Sequence, residues 1–398
     1  MLSSESTPVV RATLPAVGAA IDEIAALFYR KLFAAHPELL RDLFNRGNQA
    51  NGEQRKALAG SIAAFAGMLL EHPETRPDAM LGRIANKHAS LGITSDQYKV
   101  VHTHLFAAIA EVLGDAVTPE VAAAWDEVYW LMANALIAIE TDLYQRAGVA
   151  EGDVWQQLEI TERRQETPDT ASFTLRRTDG RPAGDFRPGQ YVSVRLELPD
   201  GARQLRQYSL SAAPGRADWR ITVKRVRGAA APDGEVSCRL HEHARPGDRL
   251  DVSVPFGDLV LPEGDGPLLL ASAGIGSTPM LSMLGHLAAT GATRRVAVLH
   301  GDRSPADHAH LAELRQLVAA LPGGTLHRWY EEPGDAAPDA ATGLVDVAGL
   351  ELPDGVTAYL CGPLPFMRAV RGGLLRRGVP AAAVHYEVFG PDLWLGRE

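Results

Sequence analysis

The chain has 398 residues, of which 46% are hydrophobic and 22% charged, enough for two or three domains with ordinary cores. Its formal net charge of -10 argues against non-specific binding to nucleic acid or to a membrane surface. Its 2 cysteines, Cys238 and Cys361, are far apart, which allows no disulfide framework beyond one bridge, and they form no C-x-x-C for zinc, iron–sulfur or covalent haem attachment. The opening Met1-Leu2-Ser3-Ser4-Glu5 has no basic region ahead of an apolar core, and no apolar stretch reads as long enough to span a bilayer, so a cytoplasmic protein is expected.

Residues 1–148 read as all helix. Apolar residues recur at three and four, as in Ile21, Ile24, Ala25, Phe28 and Leu32, and again in Val121, Trp125, Val128, Met132, Leu136, Ile139 and Leu143. Pro37, Pro77 and Pro119 mark helix starts and turns, and Gly148 caps the last long helix. Over residues 149–262 the texture changes to short alternating runs, at 191–196 and 219–223, separated by Pro188-Gly189, Pro199-Asp200-Gly201 and Pro246-Gly247-Asp248. That spacing predicts an antiparallel β-barrel with one helical insert after Gly234 and a loop at Ala229-Ala230-Ala231. Over 263–398 strands and helices alternate. Buried strands are expected at 268–271, 296–299 and 358–360, with a helix over 306–321, which together predict an α/β domain on a parallel sheet.

The chemistry sits at the ends of these elements. In the helical part, His88 shares the apolar side of a short helix with Leu81, Ile84 and Leu91, where it can bind haem iron; His102 and His104 are its rivals. In the barrel, Arg206-Gln207-Tyr208-Ser209 sends Arg206 and Tyr208 to one side and Ser209 to the other. Arginine can fork onto a pyrophosphate, tyrosine can flank an isoalloxazine, and the serine hydroxyl can bond its reactive nitrogen. Gly234-Glu235-Val236-Ser237 opens a helix whose N-terminus suits the same pyrophosphate. An edge strand with a solvated arginine and a capped helix would look the same. In the last section, Gly274-Ile275-Gly276-Ser277-Thr278-Pro279 joins a strand to a helix, with Pro279 suited to the first helical position. Cys361-Gly362-Pro363 takes the same place after the last buried strand. Ligands of open parallel sheets bind outside the carboxyl ends of strands, so the pair reads as a nucleotide site. There Gly362 permits close approach and Cys361 can pack on a nicotinamide, or else serve as a small core residue. After the second strand, Asp302 could accept from a ribose hydroxyl, favouring NADH, while Arg303 could hold a 2′-phosphate, favouring NADPH.

The order Arg-x-Tyr-Ser, Gly-x-x-Ser, Gly-x-Gly-x-Thr-Pro, Cys-Gly-Pro resembles the ferredoxin–NADP reductase superfamily, as does the ending Tyr386-Glu387-Val388-Phe389-Gly390-Pro391. The helical part resembles a globin, and residues 1–391 together resemble a bacterial flavohaemoglobin. The matching segments are Phe28-Tyr29-Arg30, Leu43-Phe44-Asn45, Asn51-Gly52-Glu53-Gln54-Arg55, Lys87-His88, Ser95-Asp96-Gln97-Tyr98 and Ile139-Glu140. The resemblance implies a globin over 1–148, an FAD-binding barrel over 149–262 and an NAD(P)-binding domain over 263–398, with haem b, FAD and NADH or NADPH as cofactors.

The resemblance also implies roles. His88 would ligate iron, made more anionic by Tyr98 and Glu140; Tyr29 and Gln54 would donate to dioxygen; Phe44, Leu58 and Lys87 would contact haem. FAD would be held by Tyr191, Arg206, Gln207, Tyr208, Ser209, Gly234, Val236 and Ser237, and by Glu387, Val388, Phe389, Gly390 and Pro391. NAD(P) would be held by Gly274, Ile275, Gly276, Ser277, Thr278 and Pro279, with Cys361, Gly362 and Pro363. The implied activity converts nitric oxide and dioxygen to nitrate, with no nucleic acid, membrane span or obligate protein partner. A redox- or oxygen-sensing globin with a resetting reductase, or a flavin reductase of peroxides or of a separate acceptor, are the other readings. Val388 stands where the family commonly has cysteine, Trp130 is bulkier than the small residue expected there, and the tail 392–398 has no reading.

Overall fold

The first part of the computed structural model is helical: α1 (Ser6–Ala35), α2 (Pro37–Asp42), α3 (Arg46–Ala50), α4 (Glu53–Glu71), α5 (Asp78–Leu91), α6 (Ser95–Leu113) and α7 (Pro119–Ala147) follow one another. The structure describes residues 1–74, 77–228, 232–335 and 337–390; Ala229-Ala230-Ala231, Pro391 and the tail lie outside them. Local chemistry sets the helix boundaries. Pro37 and Pro119 occupy first-turn positions, where a missing N–H costs no helical bond. Thr94 and Gln97 form a reciprocal capping box at the start of α6. Gly148 ends α7 in the left-handed region, at φ 70°. α1 packs against α4, α6 and α7, and α5 packs against α7, around Val10, Val17, Phe65, Leu81, Trp125 and Leu136.

One expectation is corrected here. α1 is long and apolar enough to cross a membrane by length and composition. Its apolar character has a local reason: Val10, Val17, Ile24, Phe28 and Leu32 are buried in the helical core.

The next strands are β1 (Trp155–Thr167), β2 (Thr170–Arg177), β3 (Tyr191–Glu197), β4 (Arg203–Ser209), β5 (Trp219–Lys224) and β6 (Arg249–Ser253), with α8 (Glu235–His243) inserted before β6. They form one sheet in the order β4-β3-β6-β1-β2-β5. An antiparallel bridge between Leu210 and Ile221 joins the chain after β4 to β5 and closes the barrel. Phe173 and Leu175, Val192 and Val194, and Ile221 and Val223 are fully buried at a spacing of two, the strand period.

The last part contains β7 (Leu268–Ala273), α9 (Ser277–Ala289), β8 (Val296–Asp302), α10 (Leu311–Ala319), β9 (Gly324–Tyr330), β10 (Ala341–Thr342), β11 (Thr357–Cys361), α11 (Leu364–Arg376) and β12 (Val384–Glu387). The sheet order is β10-β9-β8-β7-β11-β12, parallel throughout. The chain runs from β7 to β8 on one side and returns to β11 on the other, so the switch in direction lies between β7 and β11. The helix expected over 306–321 is shorter. Ser304 and Arg303 bond the Asp307 carboxylate in a turn, and His310 stands at φ 60°, so α10 begins only at Leu311.

By contacts the chain forms two compact units. One comprises Met1–Trp155 with Arg195–Arg206 and Gly390; the other comprises Gln156–Val194 with Gln207–Phe389. The tip of the β3–β4 hairpin thus belongs to the helical unit. Within that unit Arg46 Nη1 bonds Asp200 Oδ2 at 2.6 Å, and the Arg203 amide and guanidinium bond the Asp42 carboxylate at 3.0 and 3.3 Å.

Candidate active site

α5, α6 and α7 bring His88, Tyr98 and Glu140 together. His88 Nδ1 lies 2.9 Å from Glu140 Oε1 and 3.0 Å from the Tyr98 hydroxyl, and that hydroxyl donates to the same carboxylate oxygen at 2.6 Å. Glu140 is 3% exposed, so its carboxylate meets Tyr98 away from water. Burial, and then the Glu140 carboxylate, push the Tyr98 phenol well above its ordinary range and keep it a donor. An imidazole held at Nδ1 offers the Nε2 lone pair outward. Among the described residues no three His, Cys, Asp or Glu side chains form a protein-only metal site. An imidazole so held, with Nε2 outward, fits a metal whose other ligands come from a prosthetic group. The rival histidines are placed differently. His102 bonds Asp126 at 2.6 Å and stacks on Phe106 and Trp130, whereas His104 faces His36 at a ring distance of 5.5 Å. Trp130 thereby finds its place within the helical unit, stacked on His102 and edge-on to Tyr129.

A second cluster surrounds Tyr29 on α1. Burial drives its ionisation far above the usual range, against the opposing effect of the Gln54 amide on α4 and the Gln49 amide on α3. Phe44 meets the Tyr29 ring edge-on at 5.8 Å, Phe33 stacks at 5.6 Å, and Leu58 packs on the same group. Gln49 is a neighbour that sequence reasoning missed, since its five-residue helix carries no periodic signal. Its Nε2 is buried with no hydrogen-bond partner among the described residues. A phenol and two amides in an otherwise apolar cluster can point donors at a small polar ligand. Lys87, next to His88, donates from Nζ to the Gly390 carbonyl at 3.0 Å.

On the barrel, Arg206, Gln207, Tyr208 and Ser209 end β4. The Ser209 hydroxyl is buried and has no partner among the described residues, which fits the group expected to bond a flavin nitrogen. Gln207 donates to Ser193 Oγ at 3.0 Å, and Tyr191, at the start of β3, is 7% exposed. Gly234 caps α8, where the Ser237 hydroxyl donates to the Gly234 carbonyl and accepts from the Val226 amide. That hydroxyl is engaged within the loop, so the amides of Glu235, Val236 and Ser237 are what the helix start offers an anion. Glu387 ends β12 and is 7% exposed; Val388 is half-buried and Phe389 is 47% exposed.

The nucleotide motifs meet at the switch point. Cys361 pairs with Ser272 in register, so the turns leaving β7 and β11 lie side by side. A Cβ placed on Gly276 would stand 2.2 Å from the Cys361 carbonyl oxygen, so only glycine admits this approach. α9 begins at Ser277, which puts Pro279 in the first turn rather than at its first position. Thr278 Oγ1 donates to the Ile275 carbonyl at 3.0 Å, and Ser277 Oγ is buried without a partner among the described residues. Cys361 is fully buried in the core beneath the turn, where burial and then Glu387 push its thiol upward. It belongs to the same buried cluster as Leu268, Leu270 and Tyr359. Gly362 and Pro363 carry the chain onward into α11. Beyond β8, Asp302 accepts from the Arg303 amide at 2.9 Å, and the Arg303 guanidinium forks onto Asp307 at 3.0 and 2.6 Å.

Comparison with known proteins places these parts. Residues 26–136 match the globin family, 157–260 the oxidoreductase FAD-binding domain and 270–372 the oxidoreductase NAD-binding domain. The chain is 40% identical to a flavohemoprotein of Rhizobium meliloti over 99% of its own length and 100% of that protein's. It is 42% identical to one of Chromobacterium violaceum, covering 98% of each. The crystal structure of a flavohemoglobin from Malassezia yamatoensis with bound FAD and heme aligns with a TM-score of 0.90 at 37% identity, over 98% of this chain and 100% of that one. The FAD/NAD binding domain of a nitric oxide dioxygenase from Vibrio cholerae aligns at 0.56 and 36% identity, over 59% of this chain and 99% of that one. With a globin domain, an antiparallel FAD-binding barrel and a parallel-sheet NAD-binding domain in one oxidoreductase, the chain belongs to the flavohaemoprotein family.

Proposed function

We propose that the chain is an NAD(P)H-dependent nitric oxide dioxygenase of the cytoplasm, with haem b and FAD as cofactors and dioxygen and nitric oxide as substrates. When bound, FAD converts hydride supply into single electrons, and haem supplies the iron at which dioxygen and nitric oxide combine. Two nitric oxide and two dioxygen molecules are consumed per NAD(P)H, giving two nitrates, NAD(P)+ and a proton. The observation that carries this reading is the His88–Tyr98–Glu140 triad. His88 would hold iron through Nε2. Glu140, reinforced by Tyr98, would hold the Nδ1 proton and raise the donor strength of the ring, which favours oxygen activation over storage. Tyr29 and Gln54 would donate to dioxygen, and Phe44, Leu58 and Lys87 would line the haem.

On the reductase side, Arg206 and the amides after Gly234 would hold the pyrophosphate of FAD, with Tyr191, Gln207, Tyr208, Ser209, Glu387, Val388, Phe389, Gly390 and Pro391 around the rest. The Gly274–Pro279 turn and Cys361-Gly362-Pro363 would hold NAD(P), here through backbone groups. The division at 148 and 262 follows from the same reading. A relative named as a nitric oxide dioxygenase supports the choice of substrate. The test is stopped-flow consumption of nitric oxide by the purified protein with NADH under oxygen. Nitrate formed one-for-one with nitric oxide is expected. Turnover of peroxide or ferricyanide without nitric oxide consumption would favour a reductase, and no turnover beyond reduction of its own haem a sensor.

A further inference from the structure

Gln204 is a polar side chain with no exposed surface, on the strand that carries Arg206 and Tyr208. A buried primary amide must find partners for two donors and an acceptor. All of them lie at the α2–α3 corner or on its own strand. Gln204 Nε2 donates to the carbonyls of Phe44 at 3.2 Å, Arg41 at 3.1 Å and Leu40 at 3.4 Å. Its Oε1 accepts from the Arg46 amide at 3.3 Å and from Arg206 Nη1 at 3.4 Å. The corner so held is the one whose Phe44 ring abuts Tyr29 and Phe33. An unbonded amide at this depth would be costly, so corner and strand keep one relative placement.

We infer that Gln204 is a positioning residue for the proposed reaction: through the Phe44 carbonyl it sets the Phe44 and Tyr29 side of the haem pocket from the strand that binds FAD. This rests on the haem and FAD assignment above. The neighbouring ion pairs, Arg46–Asp200 and Arg203–Asp42, hold the hairpin tip but leave the Phe44 carbonyl untouched.

The experiment uses the full-length holoprotein. Gln204→Glu keeps the shape and removes both N–H donors; Gln204→Asn keeps the amide but shortens its reach. Asp200→Asn weakens the exposed ion pair alone. In the reduced, carbon monoxide-bound protein, both Gln204 variants should shift and broaden the C–O stretching band, while Asp200→Asn leaves it at the parent position. Reduction of haem after NADH is added should slow about tenfold in the Gln204 variants, as for a pocket wall held out of place. NADH-to-ferricyanide activity should stay at the parent level in Asp200→Asn. An unchanged C–O band in both Gln204 variants would overturn the inference. So would an equal shift in Asp200→Asn, which would make Gln204 ordinary docking adhesive. Failure of the underlying cofactor assignment is seen separately, as a parent protein without Soret or flavin absorption.

Discussion

Replacing His88 with alanine removes the imidazole and leaves Tyr98 bonded to Glu140 at 2.6 Å, so the local helices keep their contact. The purified variant should lose its Soret band and retain its flavin spectrum; an unchanged haem content would pass the ligand role to another histidine. Tyr29→Phe removes only a hydroxyl from a ring packed among Phe28, Phe33 and Phe44. One hydrogen bond to a partly charged ligand is worth about 1.5–3 kcal/mol, so dioxygen should leave about ten- to a hundredfold faster. Carbon monoxide is less polar and should be affected less. Equal effects on the two off-rates would mean that Tyr29 works through shape. His88, Tyr98 and Glu140 were legible because each stands in a segment with a recognisable match. Gln49 and Gln204 were not, because a buried glutamine looks like a surface one until its carbonyl partners are known. Trp130 stood out in the sequence as a departure, and its stack on His102 explains where the extra volume goes.

At the level of elements, the turn between β8 and α10 bears on the choice of coenzyme. Arg303 already forks onto Asp307, and hydrogen bonding with Arg303 holds that carboxyl below its ordinary range. A 2′-phosphate would have to break the pair before using the guanidinium. Asp307→Asn should therefore raise kcat/KM for NADPH about two- to fivefold, the scale of an exposed ion pair, and leave NADH nearly unchanged. Parallel changes for both coenzymes would remove Arg303 from discrimination. β4 and α8 should bind FAD in a fragment beginning near Gly152, which should also oxidise NADH with ferricyanide as acceptor. In it Arg206→Ala should weaken FAD binding by about 1.5–3 kcal/mol, measured by flavin titration. A folded fragment without flavin affinity would contradict the proposed division. The alternation of β3 and β5 and the strand–turn–helix around Gly276 are legible in the sequence. The start of α10 is not, because side-chain bonds to Asp307 and the left-handed His310 override a helical pattern over 306–321. The apolar length of α1 is also hidden, since its charges are scattered along a face that the core does not use.

For the molecule as a whole, pH sensitivity should concentrate where α10 meets the barrel. Arg220 on β5 forks onto Glu313 at 2.9 Å through both guanidinium nitrogens, and His310 joins them at 3.1 Å. Burial alone would raise the Glu313 carboxyl, but hydrogen bonds from His310 and Arg220 outweigh it and hold the group down at about 2. A depressed carboxylate stabilises the fold fully above its unfolded pKa and loses that contribution as pH falls toward the folded value. Glu313→Gln should thus lower Tm near neutrality, and the gap to the parent should narrow progressively as the pH falls from about 5 through about 2. A gap independent of pH would mean that the charge contributes nothing.

The hairpin tip at 195–206 has a consequence for inheritance. A crossover near residue 150 between two relatives would hand over a helical domain without the distant dozen residues that share its compact unit. Gln204 would then meet a foreign corner, and each of its groups left unbonded in the interior would cost about 1–3 kcal/mol. Viable chimeras should be those that carry 195–206 along with the helices, as a double graft, and single-crossover recombinants should be recovered folded less often the more their α2–α3 corners differ.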